Sequence, residues 1–239
     1  MMFGRLVVWS TLVSVFLFIT APLSSRIQAS QTEAVDVALD PGHSSWDVGA
    51  SGAGLREFEV TLDVARRVQS RLEERGYRVR LTRDSAQRVA ASVPSDPTEA
   101  VRVEQYARHA AAGPASLFVS IHFNGHPDRT LRGTETYFNS DNFGAESRLL
   151  ATFLQASTVD SLAAAGYATI DRGVREDLTA GKPYGHFFSL RGPFPSVLIE
   201  ALFLSNAQEA AILQHDAIRD ALADGISRGI AEYLALNPS

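Results

Sequence analysis

The sequence predicts an α/β fold in which helices cover both faces of a mostly parallel, twisted sheet within one domain. Short apolar runs rich in valine, isoleucine and leucine recur along the chain and are typical of strands buried on both faces. They alternate with longer segments whose apolar residues recur every three or four positions, as in amphipathic helices. Strands alternating with helices favour a parallel sheet, and 239 residues with 45 % hydrophobic content suit one globular domain.

The first half of the chain contains two predicted βα units. A valine-bearing run ends at Asp-Pro-Gly, and a glycine-rich loop follows it to residue 54. The next helix is predicted from one stripe of apolar residues: Phe58, Leu62, Ala65, Val68 and Leu72. The predicted elements are strand 35–39, the helix that closes at Arg75 and Gly76, strand 77–81, loop 92–97 and helix 98–112.

The second half continues the alternation with less regular segments. The run at 133–138 alternates weakly, so an edge strand is expected there, and 171–185 is expected to be rich in loops. Asn206 is expected to cap a short helix. The other predicted elements are strand 117–121, helix 146–165, a short strand at 187–190, strand 197–199 and a last helix marked by Ile218, Leu222, Ile226, Ile230 and Leu234.

The N-terminal segment has the layout of an export signal. Arg5 and the terminal amine precede 6–23, a run of 18 uncharged, mostly apolar residues. Cleavage is expected after Ala29, which divides the chain into a signal peptide (1–29) and a domain (30–239). A retained membrane anchor is the alternative, because about 20 apolar residues span a bilayer. Once the signal is removed, no stable membrane contact is expected.

Charge and cysteine content exclude several kinds of protein. Loss of the signal segment, which carries two arginines and no acid, changes the formal net charge from −5 to −7. An acidic domain argues against nucleic acid as a partner, since nucleic acids favour a basic face. The chain has no cysteine, so the fold is stabilised without disulfides. A monomer is the default expectation.

Four side chains with catalytic potential are expected at one edge of the sheet. His43 and His122 follow buried strands, Glu57 stands at the start of the first helix, and Glu200 ends the strand 197–199. Ligands of open α/β sheets bind just beyond the carboxyl ends of the strands. The four side chains are therefore expected in one crevice.

Two histidines and one carboxylate form a typical catalytic zinc set, which leaves a fourth coordination position for water. Zinc lowers the pKa of its water toward about 7 and polarises a carbonyl oxygen. A further carboxylate, the role that Glu200 fits, takes the proton of the water and passes it to the departing amine. The residues alone therefore indicate a metal hydrolase, for which an amide is a natural substrate.

Each of these residues also has an alternative explanation. Glu57 could be a first-turn acid favoured by the helix dipole. A buried Glu200 could pair with an arginine such as Arg191. Three nearby side chains are rivals for the metal: Asp47, Glu59 and His126.

Short motifs follow one another across roughly residues 35–235. They are VALDPGH at 37–43, GA at 49–50, GL at 54–55 followed by Glu57, LTR at 81–83, LFVSIHFN at 117–124, GTETY at 133–137, VLIE at 197–200 and FLSN at 203–206. Each motif alone is weakly specific. The ordered set resembles the zinc-dependent N-acetylmuramoyl-L-alanine amidases of the amidase-3 type.

The resemblance implies a site and a reaction. It implies His43, Glu57 and His122 as ligands of one zinc ion per chain and Glu200 as the catalytic carboxylate. The expected reaction is hydrolysis of the amide between N-acetylmuramic acid and L-alanine in peptidoglycan, with zinc-bound water as nucleophile. Export to the periplasm or the cell wall agrees with that substrate. Candidate substrate-binding residues are Asn124, Glu135 and Arg191.

The chain departs from the family pattern at three places. Ser44 and Ser45 stand where the family usually has two glycines, and Ala201 and Leu202 stand where a small polar residue and glycine are common. The span 138–172 has room for one ordinary helix, whereas some members insert a long helix that blocks the zinc site. An open site without such autoinhibition is therefore expected.

Two other functions remain as alternatives. One is a zinc peptidase or other amidohydrolase that cuts a different amide, which analysis of the products would identify. The other is a non-catalytic peptidoglycan-binding protein, which loss of a ligand or of Glu200 would indicate. None of these residues is missing.

Overall fold

The structure is a computed structural model that describes Met1 and residues 33–236. The predicted signal segment therefore lies, apart from Met1, outside the described residues. The elements between residues 33 and 236 are β1 (Val35–Pro41), β2 (Ser51–Gly52), β3 (Leu55–Arg56), α1 (Glu57–Glu74), β4 (Val79–Leu81), α2 (Pro97–Ala112), β5 (Ala115–Asn124), β6 (Thr134–Phe138), α3 (Gly144–Ala164), β7 (Asp171–Glu176), β8 (Ser196–Phe203), α4 (Ala207–Ile212) and α5 (Asp216–Leu236), with single 3-10 turns at Asp177–Ala180 and Phe188–Arg191.

Six strands form one mostly parallel sheet in the order β4-β1-β5-β8-β6-β7, which confirms the predicted fold class. β1 is parallel to β4 and β5, and β5 is parallel to β8. β6 is antiparallel to β8 and parallel to β7. The centre of the sheet thus consists of three parallel strands whose carboxyl ends lie at one edge.

Helices cover both faces of this sheet, as the apolar runs of the strands predict. On one face the main core joins β1, β5 and β8 to α1, α3 and α5. On the other face Phe118 of β5 packs with Ala112 of α2 and with Phe194. Adjacent residues of one strand belong to different cores, because side chains alternate across a sheet.

α3 and α5 pack against each other at unusually short range. A Cβ atom at Gly225 would lie 2.5 Å from the Cα of Thr158, and one at Gly229 would lie 2.7 Å from the carbonyl oxygen of Phe153. The missing side chains let the two helix backbones approach. Helix α3 occupies the span between β6 and β7, as predicted. It packs against α5 and does not lie over the crevice.

Four local predictions were wrong. Leu62 is partly exposed, and Val64 is buried in its place. With 3.6 residues per turn, Leu62 lies at the margin of the buried face of the helix, whereas Val64 lies within that face. Residues 171–176 form strand β7, whose polar composition reflects its place at the sheet edge. The segment around 187–190 is a 3-10 turn rather than a strand.

The fourth wrong prediction concerns β6, which lies between β8 and β7 and is not an edge strand. All five of its residues are buried. Apolar and polar residues alternate only weakly in β6 because its polar side chains are also buried, where they bind buried partners. Thr136 Oγ1 donates to Gln155 Oε1 at 2.8 Å, and Thr134 Oγ1 donates to the Ala201 carbonyl oxygen at 2.8 Å.

Among the described residues, no helix has both the length and the apolar character that crossing a bilayer requires.

Candidate functional site

A cavity of about 350 Å³ opens at the carboxyl ends of the central strands. His43 follows β1, His122 lies near the end of β5, and Glu200 lies in β8. Glu57 is the first residue of α1 and turns toward the same cavity. The structure therefore brings together the four side chains that the sequence places at this edge.

Three of these side chains form a compact donor cluster. Glu57 Oε1 lies 3.3 Å from His43 Nε2 and 3.1 Å from His122 Nδ1. The three donor atoms lie within 4.8 Å of one another. Ligands of a tetrahedral zinc ion at 2.0–2.2 Å lie about 3.4 Å apart. The donor types of the described cluster suit a zinc ion, and the two separations from Glu57, 3.3 and 3.1 Å, are close to that spacing.

Glu57 is held in place by backbone amides. Its Oε2 accepts a hydrogen bond from Ala50 N at 2.7 Å, and its Oε1 accepts one from Phe123 N at 3.0 Å. The residue is only 3 % exposed. A first-turn acid that served the helix dipole alone would face solvent, whereas this carboxylate faces the two histidines.

His43 is oriented by Asp47, the side chain that the sequence left as a rival ligand. Asp47 Oδ2 lies 2.9 Å from His43 Nδ1, which leaves Nε2 directed at Glu57. Burial lowers the pKa of His43, but the charges and hydrogen bonds of Glu57 and Asp47 outweigh it and raise that pKa to about 10. The cluster therefore favours positive charge. A carboxylate behind a ligand imidazole is a common arrangement in metal sites.

His122 fits between two backbones. Burial lowers its pKa, which favours the neutral imidazole that a metal requires. Its ring lies against Gly42, where an added Cβ would overlap the imidazole. The turn after β1, which carries His43, therefore leaves space for the ring of His122.

Glu200 lies beside the cluster without an arginine partner. It stands opposite His122 in the register of β5 and β8 and is 8 % exposed. Its Oε2 has no hydrogen-bond partner among the described residues. Burial and the charge of Glu57 raise the pKa of Glu200 to about 8. Arg191, the suggested partner, instead bonds Asp141 Oδ2 at 3.2 Å.

The other rivals for the metal have different partners. Glu59 is exposed and accepts a hydrogen bond from Arg56 Nε at 3.0 Å. His126 Nδ1 accepts a hydrogen bond from the amide of Asp128 at 2.9 Å. Neither belongs to the three-residue donor cluster.

The three candidate substrate residues have different surroundings. Asn124 lines the cavity, and its Nδ2 donates to Glu135 Oε1 at 2.6 Å. Glu135 is buried and pairs with Arg172 at 3.0 Å and Arg175 at 2.9 Å. Neither Glu135 nor Arg191 is among the described residues that line the cavity. Glu135 supports Asn124 from behind.

A buried arginine, Arg108, holds the turn that carries His43. Arg108 is 1 % exposed and binds the Asp40 carboxylate at 2.8 Å and Glu104 at 3.0 Å. The same guanidinium donates to the carbonyl oxygens of Pro41 at 2.6 Å and His43 at 2.7 Å. His43 has a left-handed φ of 60°, a conformation that a non-glycine residue adopts at a cost. These bonds offset that cost.

Asp40 gives the fold a specific sensitivity to acid. Burial raises its pKa, but Arg108 and three hydrogen bonds outweigh burial and lower the pKa to about 2. The stability that Asp40 contributes is fully present above its unfolded pKa of about 4 and is lost as the pH falls through about 2. We expect the free energy of unfolding to drop by roughly 2 kcal/mol more in the wild type than in Asp40→Asn between pH 6 and pH 2. Urea denaturation across that range measures the difference.

The matched control for this prediction is Asp160→Asn, which changes an exposed carboxylate on α3. It should keep the acid dependence of the wild type. Equal acid dependence in wild type and Asp40→Asn would contradict the prediction.

Sequence reasoning missed part of the cavity wall. Trp46, Lys182 and Tyr184 line the same cavity as the donor cluster and Glu200. The signal for Lys182 was its rarity, since it is the single lysine of the chain. Trp46 and Tyr184 lie in loops, where no periodicity indicates which way a side chain points.

Comparison with known proteins gives one consistent result. Residues 37–232 match the family model Amidase_3, described as N-acetylmuramoyl-L-alanine amidase. The chain is 33 % identical over 198 residues to the N-acetylmuramoyl-L-alanine amidase LytC of Bacillus subtilis, covering 82 % of this chain and 35 % of LytC. It is 31 % identical over 214 residues to the germination-specific N-acetylmuramoyl-L-alanine amidase of the same organism, covering 89 % of this chain and 81 % of that protein.

A solved structure agrees in shape. The catalytic domain of CwlV, an N-acetylmuramoyl-L-alanine amidase from Bacillus (Paenibacillus) polymyxa, superposes with a TM-score of 0.61 at 29 % identity. The match covers 85 % of this chain and 99 % of that domain. The described fold is thus similar to an amidase catalytic domain over nearly the whole of that domain, whereas the chain spans about a third of LytC.

Proposed function

Because the chain belongs to the Amidase_3 family of N-acetylmuramoyl-L-alanine amidases, we propose that it hydrolyses the muramoyl–L-alanine amide of peptidoglycan at the His43–Glu57–His122 cluster. Glu200 is the catalytic carboxylate in this proposal. The observation that supports it most is the convergence of three metal donors with a buried, unpaired carboxyl group in one cavity.

His43, Glu57 and His122 would hold one zinc ion. A bound zinc ion supplies a Lewis acid that polarises a carbonyl and acidifies water. Asp47 keeps Nε2 of His43 directed inward, and the amides of Ala50 and Phe123 keep Glu57 in place. The chain thus presents three donors whose positions are set before a metal binds.

Glu200 moves the protons of the reaction. It accepts a proton from the attacking water as the new C–O bond forms at the lactyl carbonyl. It then delivers that proton to the nitrogen of L-alanine as the C–N bond breaks. A pKa raised to about 8 suits a group that must both hold and release a proton near neutral pH.

Export completes the proposal, because peptidoglycan lies outside the cytoplasmic membrane. The charge and apolar pattern of residues 1–29 supports it.

The first test is digestion of purified peptidoglycan by the purified protein alone. We expect soluble peptides that begin with L-alanine and glycan strands that stay uncut. A chelator should abolish the release of peptides, and added zinc should restore it. Mass spectrometry of the soluble fraction identifies the bond that is cut.

Each other outcome would change the proposal. Peptides cut at another bond would leave a metal hydrolase and remove the amidase assignment. Activity that survives full removal of metal would contradict the zinc cluster. Activity that needs a second protein would contradict the expectation of an open, uninhibited site.

A further inference from the structure

Lys182 is the single lysine of the chain, and it lies in the catalytic cavity. Every other one of the 22 lysine and arginine residues is arginine. Lys182 follows the 3-10 turn Asp177–Ala180 and lines the same cavity as His122 and Glu200. Its ammonium group therefore differs in kind from every other basic side chain of the protein.

The ammonium of Lys182 is positioned but not neutralised. Its Nζ lies 4.7 Å from the centre of the Phe187 ring, a cation–π contact that holds it toward the cavity. Phe187 is buried against Tyr137, with ring centres 5.2 Å apart, so this support is rigid. No described carboxylate lies within 4 Å of Lys182 as an ion-pair partner. Its charge nevertheless influences Glu200 at longer range.

The charge of the cavity explains why such a cation matters. Four carboxylates line it: Asp47, Glu57, Glu104 and Glu200. Apart from histidines, the described cations of the lining are Arg108 and Lys182. Arg108 is buried and already bound to Asp40 and Glu104. Outside the donor cluster, Lys182 is thus the accessible cation among the described residues that line this acidic cavity, and it is the side chain there that would attract an anionic part of the substrate.

Peptidoglycan carries its negative charge on one side of the scissile bond. Once the lactyl group is amidated, the glycan is uncharged, so the anions of the substrate are the free carboxylates of the stem peptide. The first of these beyond the bond is the α-carboxylate of the D-isoglutamate that follows L-alanine. A compact ammonium on a flexible stem suits a single carboxylate of this kind.

We propose that Lys182 binds this carboxylate and thereby sets both the direction in which the stem peptide enters the cavity and a preference for stems with a free carboxylate. The inference rests on the proposed amidase function. In this proposal Lys182 is a specificity-determining residue. The stem peptide lies on the side of the cavity that Lys182 and Phe187 form.

The kinetic test compares two soluble substrates that differ in one group. Muramoyl-L-alanyl-D-isoglutamate carries the carboxylate, and muramoyl-L-alanyl-D-isoglutamine carries an uncharged amide in its place. We expect wild-type kcat/KM to favour the carboxylate by about tenfold, since a charge-assisted hydrogen bond contributes about that factor. Lys182→Met should abolish the preference, mainly through KM, and Lys182→Arg should restore part of it.

The matched control is Arg148→Met, which removes one positive charge from an exposed site on α3. It should keep the full preference. An equal rate for both substrates in the wild type, or an unchanged preference in Lys182→Met, would overturn the inference.

A binding test separates this inference from the reaction. Reductive methylation with ¹³C-formaldehyde labels the terminal amine and the chain's one lysine side chain, whose charge it keeps, and the two give separate resonances. The label then reports Lys182 directly in zinc-loaded protein. We expect L-alanyl-D-isoglutamate to shift the Lys182 resonance saturably and L-alanyl-D-isoglutamine to do so at least tenfold more weakly.

The two tests together distinguish two failures. A selective shift without hydrolysis of either substrate would retain the carboxylate site and overturn the amidase reaction. Hydrolysis without a carboxylate-selective shift would retain the reaction and overturn the role of Lys182.

Discussion

Replacing Glu200 with glutamine is expected to lower kcat by about 10²–10⁴-fold, the usual contribution of a positioned acid–base group. The amide has the shape of the carboxyl group but cannot accept and return a proton. The substitution should leave the fold intact, because Glu200 Oε2 has no described hydrogen-bond partner that would be lost. Release of peptides from peptidoglycan measures the rate, and elemental analysis measures zinc content.

The control for Glu200→Gln is Glu59→Gln on the exposed side of α1, paired with Arg56 outside the donor cluster. It should retain activity. Unchanged activity in Glu200→Gln would contradict the catalytic role. Loss of zinc from this variant would show that Glu200 helps to bind metal rather than to move protons.

Replacing Arg108 with methionine is expected to lower the free energy of unfolding by about 3–5 kcal/mol, since it leaves a buried charge without its partner. Asp40 is fully buried, and Arg108 is the cation that contacts it. The loss is large against a total stability of about 5–15 kcal/mol. Urea denaturation at pH 7 measures it. Activity should fall as well, because Arg108 also binds the carbonyl oxygen of His43.

Arg102→Met on the same helix provides the comparison. Arg102 pairs with the exposed Glu99 at 2.9 Å through its Nε, and such surface pairs contribute about 1 kcal/mol or less. If Arg108→Met and Arg102→Met lowered the free energy of unfolding equally, burial of the Arg108 ion pair would not increase its contribution to stability.

The central sheet and the donor cluster could be predicted because both follow from short-range patterns. His43 and His122 each stand directly after an apolar run, and the carboxyl ends of parallel strands meet at one edge. Glu57 was identified by its place at a helix start. The partners of these residues could not be read in the same way. Arg108 lies 68 residues from Asp40 along the chain, and nothing in its helix distinguishes it from neighbouring arginines.

Polar strands and loop residues were the main source of error. β6 and β7 carry threonine, glutamate and arginine, which periodicity assigns to surfaces, yet Glu135 of β6 is buried, and Arg172 and Arg175 of the edge strand β7 pair with it. When the two members of an ion pair lie in different segments of the chain, neither segment alone shows that its charged residue has a partner. The same holds for Trp46 and Lys182, whose positions in the cavity depend on how long loops fold back.

The contact between Gly42 and the His122 ring also constrains how sequences of this type can diverge. A mutation that adds any side chain at residue 42 would displace a histidine 80 positions away. The two motifs that contain these residues therefore form one heritable unit, although they are encoded far apart. Any mutation in the turn after β1 must preserve the space for the imidazole. Gly42 takes no part in the chemistry, yet a functional sequence of this type requires it as much as it requires the histidine.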